Sequence, residues 1–329
     1  MMYQLENKNF RGNILIFKNN QVIFTSSTGL AEQSHLVPNN ISTRFGSASA
    51  GKVFVSVGIL QLIEQNKLSL KSTLNEILSI DLGQIDLDVT VEQLLTHTSG
   101  VPDYFDESVM DDYEELWKDF PNYRIRSNQD LLPLFIHKPM QYPKGTKFSY
   151  NNSGFVLLGL IIEEITQMPF DLYLKKHVFD PCNMSSTGYF ELDRLPSDCA
   201  TNYIYDEETN SYRSNIYSVD AKGTGAGGCF ITVEDIQSFW QALLSYRLLS
   251  KEMTEHMLSV HAEDEDSAYG YGIWIRKSAE GNSYYFTGSD PGVSFMSEYH
   301  PDSKLLTILV SNYGDNVWAL NRAIIRDFE

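Results

Sequence analysis

The period of the hydrophobic pattern changes twice along this chain, and these changes limit the folds that it can adopt. Near the start, two β-rich runs in GNILIFKNNQVIFTSST flank Asn19-Asn20, a pair that favours a β-hairpin. Helical patterns fill the middle, and a period of two returns from Tyr269 onward in YGYGIWIRK, NSYYFTG, GVSFMSEYH and KLLTILVSN. A final helix is predicted in NVWALNRAIIRDF. The simplest architecture is an α/β fold of the α+β type, in which both chain ends form one antiparallel sheet with flanking helices.

The helical middle is predicted to be a domain inserted into the sheet domain. A chain of 329 residues suits about two domains of roughly 150 residues each. We assign residues 1–68 and 240–329 to the sheet domain and residues 69–239 to the mostly helical domain. The active site is expected in the cleft between them.

The charge and the hydropathy of the chain exclude several classes of partner. The sequence has 25 lysines and arginines against 43 aspartates and glutamates, a formal net charge of −18, which disfavours nucleic acid and anionic membranes. No run approaches the roughly 18 apolar residues of a membrane span, and MMYQLENKNFRG at the N-terminus lacks the pattern of a signal peptide. As written, the chain is expected to be soluble and cytoplasmic; a chain whose leader had been trimmed would be extracytoplasmic. We expect a monomer that binds a small-molecule or short-peptide substrate.

The cysteines do not indicate a metal site. Cys182, Cys199 and Cys229 are dispersed, without the spacing of zinc ligands or of a disulfide framework. Buried thiols are the simpler interpretation, and no metal or other cofactor is predicted.

The stretch RFGSASAGKVF places Ser49 and Lys52 three residues apart where a long apolar run begins. The run VFVSVGILQLIEQNKL is apolar on nearly all sides, so it predicts a buried helix. Residues three apart share a helix face, which directs the amine of Lys52 at the hydroxyl of Ser49. Burial should lower the pKa of the amine, and the helix start favours a developing negative charge on Ser49. The alternative is a capping serine with a lysine that extends to solvent.

A second polar pair, Tyr150 and Asn152, lies in KGTKFSYNNSGFVLLG, just before another apolar helix. A phenol beside an ammonium group can share its proton and serve a leaving group. The amide of Asn152 can donate to a substrate carbonyl and accept from Lys52. Without its context, this pair would be an ordinary helix cap.

A third stretch, YYFTGSDPGVSF, is a strand that leads into Thr287, Gly288 and Ser289. A glycine there lets an extended ligand lie against the strand, and the next backbone N–H can polarise a carbonyl. Alone, the stretch is a turn.

In this order the three stretches resemble the penicillin-recognising serine hydrolases, which include the serine β-lactamases, the D-alanyl-D-alanine peptidases and their esterase relatives. The phrases LLTHTSGVPD, FSYNNSGFVLLG, TGAGGCFIT and YGYGIWI extend the likeness from about Phe10 to the end. The Tyr-x-Asn form is most similar to the class C branch. The resemblance implies a β-lactamase/transpeptidase-like fold, Ser49 as acylated nucleophile, Lys52 as its proton partner and Tyr150 as acid/base. It also implies that Asn152 contacts substrate and lysine, and that the amides of Ser49 and Ser289 form the oxyanion hole.

The sequence departs from the family pattern at Phe286, where relatives usually have Lys or His before Thr-Gly. That cation helps to position a substrate carboxylate, so its loss makes efficient β-lactam turnover unexpected. An ester, an amide or a D-amino-acid peptide is the expected substrate. Thr287 and Ser289 remain available to hydrogen-bond a substrate group.

Three other interpretations are weighed against the hydrolase. GTGAGG, residues 223–228, matches a dinucleotide-binding loop in spacing but lacks the preceding strand, so a tight turn is favoured. SASAG half-matches the elbow of α/β-hydrolases, in which His97 would be the base; a structural histidine is the simpler interpretation. Finally, the chain could be an inactive relative that binds a peptide or a peptidoglycan-like ligand. Phe286 favours that hypothesis, whereas Ser49, Lys52, Tyr150 and Asn152 oppose it.

Overall fold

A computed structural model describes residues 10–110, 112–265, 268–279 and 281–328. The segment MMYQLENKNFRG, on which the prediction about a leader depends, lies mostly in residues 1–9, outside the described residues. The strands are β1 (Gly12–Lys18), β2 (Gln21–Thr28), β3 (Leu30–Glu32), β4 (Val37–Pro38), β5 (Phe45–Gly46), β6 (Tyr203–Asp206), β7 (Ser211–Ser214), β8 (Phe230–Ile231), β9 (Ala262–Glu263), β10 (Ala268–Tyr269), β11 (Trp274–Arg276), β12 (Ser283–Asp290), β13 (Val293–His300) and β14 (Leu305–Ser311). The helices are α1 (Lys52–Glu64), α2 (Leu74–Ile77), α3 (Val91–Leu95), α4 (Asn128–Leu131), α5 (Asn152–Thr166), α6 (Phe170–Leu174), α7 (Val233–Leu244), α8 (Lys251–Met257) and α9 (Val317–Phe328).

Eight of these strands form one antiparallel sheet, in the order β2-β1-β14-β13-β12-β11-β10-β9. The first strand of the chain, β1, pairs with the last, β14, so that Asn13 lies opposite Val310 and Lys18 opposite Leu305. The prediction of an α+β fold whose sheet is built from both chain ends is therefore confirmed.

The hairpin between β1 and β2 turns through Asn19 and Asn20, whose φ angles are 50° and 64°. Both residues thus adopt the left-handed conformation that a tight two-residue hairpin turn requires, and asparagine tolerates this conformation better than most residues. The turn residues that predicted the hairpin also explain its backbone.

Both faces of the sheet are covered, which explains the continuous apolar run Ile14–Phe17 in β1. Ile14 and Ile16 pack towards α9 in the smaller of two hydrophobic clusters. Leu15 and Phe17 point the other way, into the larger cluster that contains α1 and α5. A strand buried on both faces reads as a continuous apolar run, whereas a strand with one exposed face would alternate.

The helix α1 lies in the larger cluster, and its residues from Lys52 to Leu60 are all buried. A short 3-10 turn, Ala48–Gly51, leads directly into it. The sequence predicts such burial, because it offers water no polar face. The start of this helix is consequently a fixed platform for the side chains that it carries.

The middle of the chain contains more than helices. The long helix α5 is capped by the Asn151 side chain, which accepts a hydrogen bond of 2.7 Å from the Gly154 amide. Around it lie the short helices α2, α3, α4 and α6. The middle of the chain also contains a two-stranded sheet of β6 and β7, which the sequence analysis did not predict. The helix α7 is capped by Thr232, whose side chain accepts a hydrogen bond from the Asp235 amide. Within the described ranges, no helix is both long and apolar enough to cross a membrane.

Candidate active site

Ser49 and Lys52 meet at the beginning of α1. Ser49 lies in the 3-10 turn and Lys52 is the first residue of the α-helix, and the Lys52 Nζ lies 3.0 Å from the Ser49 Oγ. The three-residue spacing thus produces the contact that helical geometry predicts. Ser49 is partly exposed, whereas Lys52 is only 2% exposed.

Two fixed oxygens hold the amine of Lys52. Its Nζ lies 2.8 Å from the Asn152 Oδ1 and 2.5 Å from the Ala226 carbonyl oxygen. A neutral amine has two N–H donors and one lone pair. If the donors serve these two oxygens, the lone pair is left for the hydroxyl proton of Ser49. The arrangement therefore suits a base that accepts the serine proton.

Burial shifts Lys52 towards this neutral form. It lowers the pKa of the amine from 10.5 to about 8, and the negative charges of Glu107, Asp103 and Asp290 oppose the shift. A pKa near 8 leaves a useful fraction of free amine at neutral pH, which an exposed lysine would not supply.

Asn152 is held in one orientation by Asp103. The Asn152 Nδ2 lies 3.3 Å from the Asp103 Oδ2 and 3.1 Å from the Phe105 carbonyl oxygen, so the Oδ1 must face Lys52. The backbone N–H groups of Asn152 and Ser153 also donate to the Asp103 carboxylate, at 2.8 and 3.1 Å. Both side-chain hydrogens of Asn152 are thereby engaged. The geometry makes Asn152 a positioning residue for Lys52, and a contact with a substrate carbonyl would require one of these bonds to break.

The sequence analysis did not single out Asp103, although it lies in the quoted phrase LLTHTSGVPD. It is 5% exposed, and burial raises the pKa of its carboxyl to about 6, while the amides of residues 152 and 153 oppose the shift. A single aspartate after a proline gives no signal of its own. The free backbone N–H groups at the start of a helix need hydrogen-bond acceptors, and a search for an acceptor near residue 152 could have identified Asp103.

Tyr150 lies over the amine of Lys52, with 4.9 Å from the Nζ to the ring centroid. Its ring is stacked on Trp274 at 5.9 Å and tilted against His97 at 4.5 Å. Burial raises the pKa of the phenol well above 10, and a hydrogen bond with Ser49 works in the opposite direction. The phenol is therefore protonated at neutral pH and can donate its proton.

His97 supports this wall of the site. Its Nδ1 accepts a hydrogen bond of 3.0 Å from the Asn151 amide, so the ring is neutral and cannot take the serine proton through that nitrogen. Burial also lowers the pKa of the imidazole well below 6.5. This geometry favours the structural histidine over a Ser-His triad.

The third stretch is brought to Ser49 only in part. Gly288 of β12 lies so close that a β-carbon there would be 2.2 Å from the Ser47 carbonyl oxygen and 2.8 Å from the Ser49 nitrogen. Ser289 follows it and lines the cavity beside Ser49. Among the described strands, β11 pairs only with residues 283–285 of β12, which leaves that edge of residues 286–290 open to the site.

Phe286 and Thr287 are not brought into the site. The Phe286 ring is 2% exposed and packs against Phe54, Trp240 and Phe295 in the core. The Thr287 hydroxyl faces the other side of the sheet, where it donates to the Phe295 carbonyl and accepts from the Trp318 indole. Neither side chain is therefore placed to contact a substrate bound at Ser49.

The loop GTGAGG, which spacing alone could have assigned to a dinucleotide, forms a tight turn at the rim of the site. Thr224 and Gly227 exchange backbone hydrogen bonds across it, at 2.9 and 3.1 Å. The turn delivers the Ala226 carbonyl to Lys52, a contact that the sequence did not predict. Every residue has a backbone carbonyl, so the residue type at position 226 does not indicate that its carbonyl accepts a hydrogen bond.

Ser49, Asn152 and Ser289 line one cavity of about 490 Å³, and Lys52 and Tyr150 lie behind this lining. Its wall also includes Tyr104, Tyr113 and the glycines of the GTGAGG turn. The volume suits a small molecule or a short segment of peptide.

Comparisons with known proteins agree with this geometry. A family model described as Beta-lactamase matches residues 8–328. The crystal structure of a penicillin binding protein from Bacillus halodurans is 40% identical, with a TM-score of 0.94 and 99% of each chain covered. PbpX of Bacillus subtilis (strain 168), named as a penicillin-binding protein, is 26% identical over 93% of this chain and 72% of its own length. The D-amino acid amidase of Ochrobactrum anthropi SV3, in complex with D-phenylalanine, shares the fold at 20% identity and a TM-score of 0.76, over 94% and 88% of the two chains.

The family match spans nearly the whole chain, and the Bacillus halodurans structure covers both chains almost completely. The resemblance expected from the sequence is thereby confirmed, and the chain belongs to the beta-lactamase family, with the fold of its penicillin-binding members.

Proposed function

We propose that the protein is a serine hydrolase that acts through an acyl-enzyme on an ester, an amide or a D-amino-acid peptide. The observation that carries the proposal is the 3.0 Å contact between the Lys52 Nζ and the Ser49 Oγ, in a pocket that lowers the pKa of the amine to about 8. The D-amino acid amidase with the same fold supports the choice of substrate class.

In the first half of the reaction the Ser49 Oγ attacks the substrate carbonyl and its proton passes to the neutral Lys52 amine. The amides of Ser49 and Ser289 would stabilise the oxyanion, since both lie where the helix start and the open edge of β12 meet. Tyr150 then donates its proton to the leaving group and regains one from Lys52, which leaves an acyl-enzyme. In the second half, water attacks the carbonyl carbon of this ester and gives a proton to the Lys52 amine. The bond between the acyl carbon and the Ser49 Oγ then breaks, Lys52 returns the proton to the Oγ, and the carboxylic acid product leaves.

We further propose that β-lactams acylate this enzyme inefficiently. Residue 286 is an aromatic side chain buried in the core, and no lysine, arginine or histidine is among the described residues that line the cavity. A β-lactam carboxylate would thus enter the site without a cation on its wall.

The decisive experiment is intact-mass measurement after exposure to a fluorophosphonate and, separately, to a penicillin. We expect a complete fluorophosphonate adduct and a slow or partial penicillin adduct. Ser49→Ala should form neither, whereas the exposed Ser42→Ala, a matched control, should react like the wild type.

The rival hypothesis is an inactive relative that only binds its ligand. It predicts no adduct with either reagent and no turnover of p-nitrophenyl esters. A Lys52→Ala protein with a near-normal rate would contradict the assigned role of the amine, because members of one catalytic unit lose activity together.

The monomeric state and the two-domain division stay predictions, and light scattering on the purified chain tests the first.

A further inference from the structure

The wall of the active-site cavity carries charges of one sign. Its described lining residues include four carboxylates, on Glu107, Asp112, Asp220 and Asp290, and no lysine, arginine or histidine. Lys52, the nearest cation, is buried behind Ser49 and is held by Asn152 and Ala226. A ligand that enters the cavity therefore meets a negative potential.

Two of these carboxylates are not in an ion pair with any described residue, although the charge of Lys52 lowers the pKa of Asp290. Within the described ranges, the side chain of Asp290 makes neither a hydrogen bond nor an ion pair, although it directly follows Ser289 in β12. Asp220 accepts only a long hydrogen bond, 3.4 Å, from the Tyr113 hydroxyl. Burial raises the pKa of Asp290 to about 7 and that of Asp220 to about 8, and in Asp220 the charge of Asp290 adds to the increase. Carboxylates that are largely shielded from water and form no ion pair are costly, and a cationic ligand would relieve that cost.

An uncharged acceptor in the same wall independently indicates a donor in the ligand. Asn202 is 5% exposed and lines the cavity, and its Oδ1 accepts no hydrogen bond from any described residue. Buried polar atoms are nearly always paired in native structures. An N–H group of a bound substrate would complete this one.

From these observations we infer that the acyl part of the substrate carries a protonated amine, recognised by Asp290, Asp220 and Asn202. A primary ammonium has three N–H donors, and these side chains offer three acceptors without partners of full strength. Tyr104 and Tyr113 also belong to this wall, and aromatic rings attract cations. The inference rests on the proposed function, since it names the substrate class of that site.

A matched set of p-nitrophenyl esters tests the inference in the intact chain. ε-Aminocaproyl, caproyl and adipoyl esters have acyl chains of similar length that end in an ammonium, a methyl and a carboxylate group. We expect kcat/KM to be about tenfold higher for the ammonium ester than for the neutral one, and lowest for the adipoyl ester. Added salt should reduce the difference, because it screens charges in the open cavity.

Variants then locate the recognising groups. Asp290→Asn and Asp220→Asn keep the shape of the side chains, and each should lower the ammonium-to-neutral ratio several-fold while the neutral ester is still hydrolysed. Asp119→Asn, which removes the same charge from an exposed position outside the cavity, should leave the ratio unchanged. A ratio near one in the wild type, or an equal ratio in all variants, would overturn the inference.

A binding measurement separates this inference from the proposed function. With Ser49→Ala, n-pentylammonium should raise the melting temperature in a saturable way, n-pentanol should not, and the increase should disappear in the Asp220→Asn/Asp290→Asn background. If no ester is hydrolysed but the ammonium binds in this manner, the hydrolase proposal fails and the cation site stands. If esters of all charges react equally and the ammonium does not bind, the hydrolase stands and the cation site is refuted.

Discussion

The pKa of Lys52 makes the pH dependence of kcat/KM the sharpest test of the site. If the free amine is the base, activity towards a neutral ester should follow the fraction of neutral Lys52. That fraction rises as the pH increases through the pKa, which burial places at about 8. The acid side of the profile should therefore have a slope of one in log units and level off above the pKa.

The size of the effect follows from that value. With a pKa of about 8, the neutral fraction is roughly 1% at pH 6, about 9% at pH 7 and about half at pH 8. A lysine with the ordinary pKa of 10.5 would have only about 0.03% free amine at pH 7. Burial thus increases the available base about 300-fold at neutral pH, and kcat/KM should rise about fifty-fold between pH 6 and pH 8.

The assay is hydrolysis of the caproyl p-nitrophenyl ester, corrected for the spontaneous rate and for Ser49→Ala. The test variant is Glu107→Gln, because among the carboxylates that raise the pKa of Lys52 the charge of Glu107 has the largest effect. Its removal should move the inflection to lower pH, whereas Asp119→Asn should not move it. Asp103, Asp290 and Asp220 also have raised pKa values, of about 6, 7 and 8, so Asp220→Asn/Asp290→Asn is needed as a control.

Two results would refute this reasoning. A flat profile between pH 6 and pH 9 would mean that no group with this pKa limits the reaction. A slope that disappears in Asp220→Asn/Asp290→Asn would assign the inflection to those carboxylates and not to the amine.

Three further predictions concern the groups around the nucleophile. Gly288→Ala should lower kcat/KM for ester hydrolysis at least about tenfold, because its methyl group would press on the Ser49 backbone. A variant with full esterase activity would contradict this prediction. Asp103→Asn should reduce kcat by up to about a hundredfold, because Asn152 would lose its positioning partner. It should also move the inflection of the pH profile to lower pH, because the negative charge of Asp103 raises the pKa of Lys52. A change that only disturbed the fold would lower kcat without this shift. Phe286→Lys should destabilise the fold by about 3–5 kcal/mol in urea unfolding, and Phe286→Leu by less, because the ring lies in the core. A lysine variant as stable as the wild type would mean that the side chain at 286 can reach the cavity.

Local chemistry explains why so much of the fold could be predicted. Short-range rules correctly predicted three features: the turn at Asn19-Asn20, the strands in the runs of period two, and the buried helix in the apolar run after Lys52. The contact between Ser49 and Lys52 also follows from a short-range rule, because residues three apart in a helical segment lie on the same face. That both chain ends share one sheet was inferred because helices fill most of the chain between the two sets of strands; the particular pairing of β1 with β14 was not predicted.

The rest of the site depends on contacts between distant parts of the chain. Asp103 reaches Asn152 across 49 residues, and Ala226 reaches Lys52 across 174. The convergence of Tyr150 on Lys52 was implied by the family resemblance and by no local rule. The direction of the Phe286 side chain could not be predicted either, because a strand residue in the sequence carries no sign of which face of the sheet it will occupy until the register is known.

The pairing of β1 with β14 also affects how the protein is made. Residues 12–18 are synthesised well before one of their two neighbours in the sheet, residues 305–311, because the whole helical middle lies between them. Until then β1 can pair only with β2, and its other edge stays open to wrong partners. The central sheet can be completed only after residues 305–311 have been translated, and the open edge of β1 is an aggregation hazard during that interval.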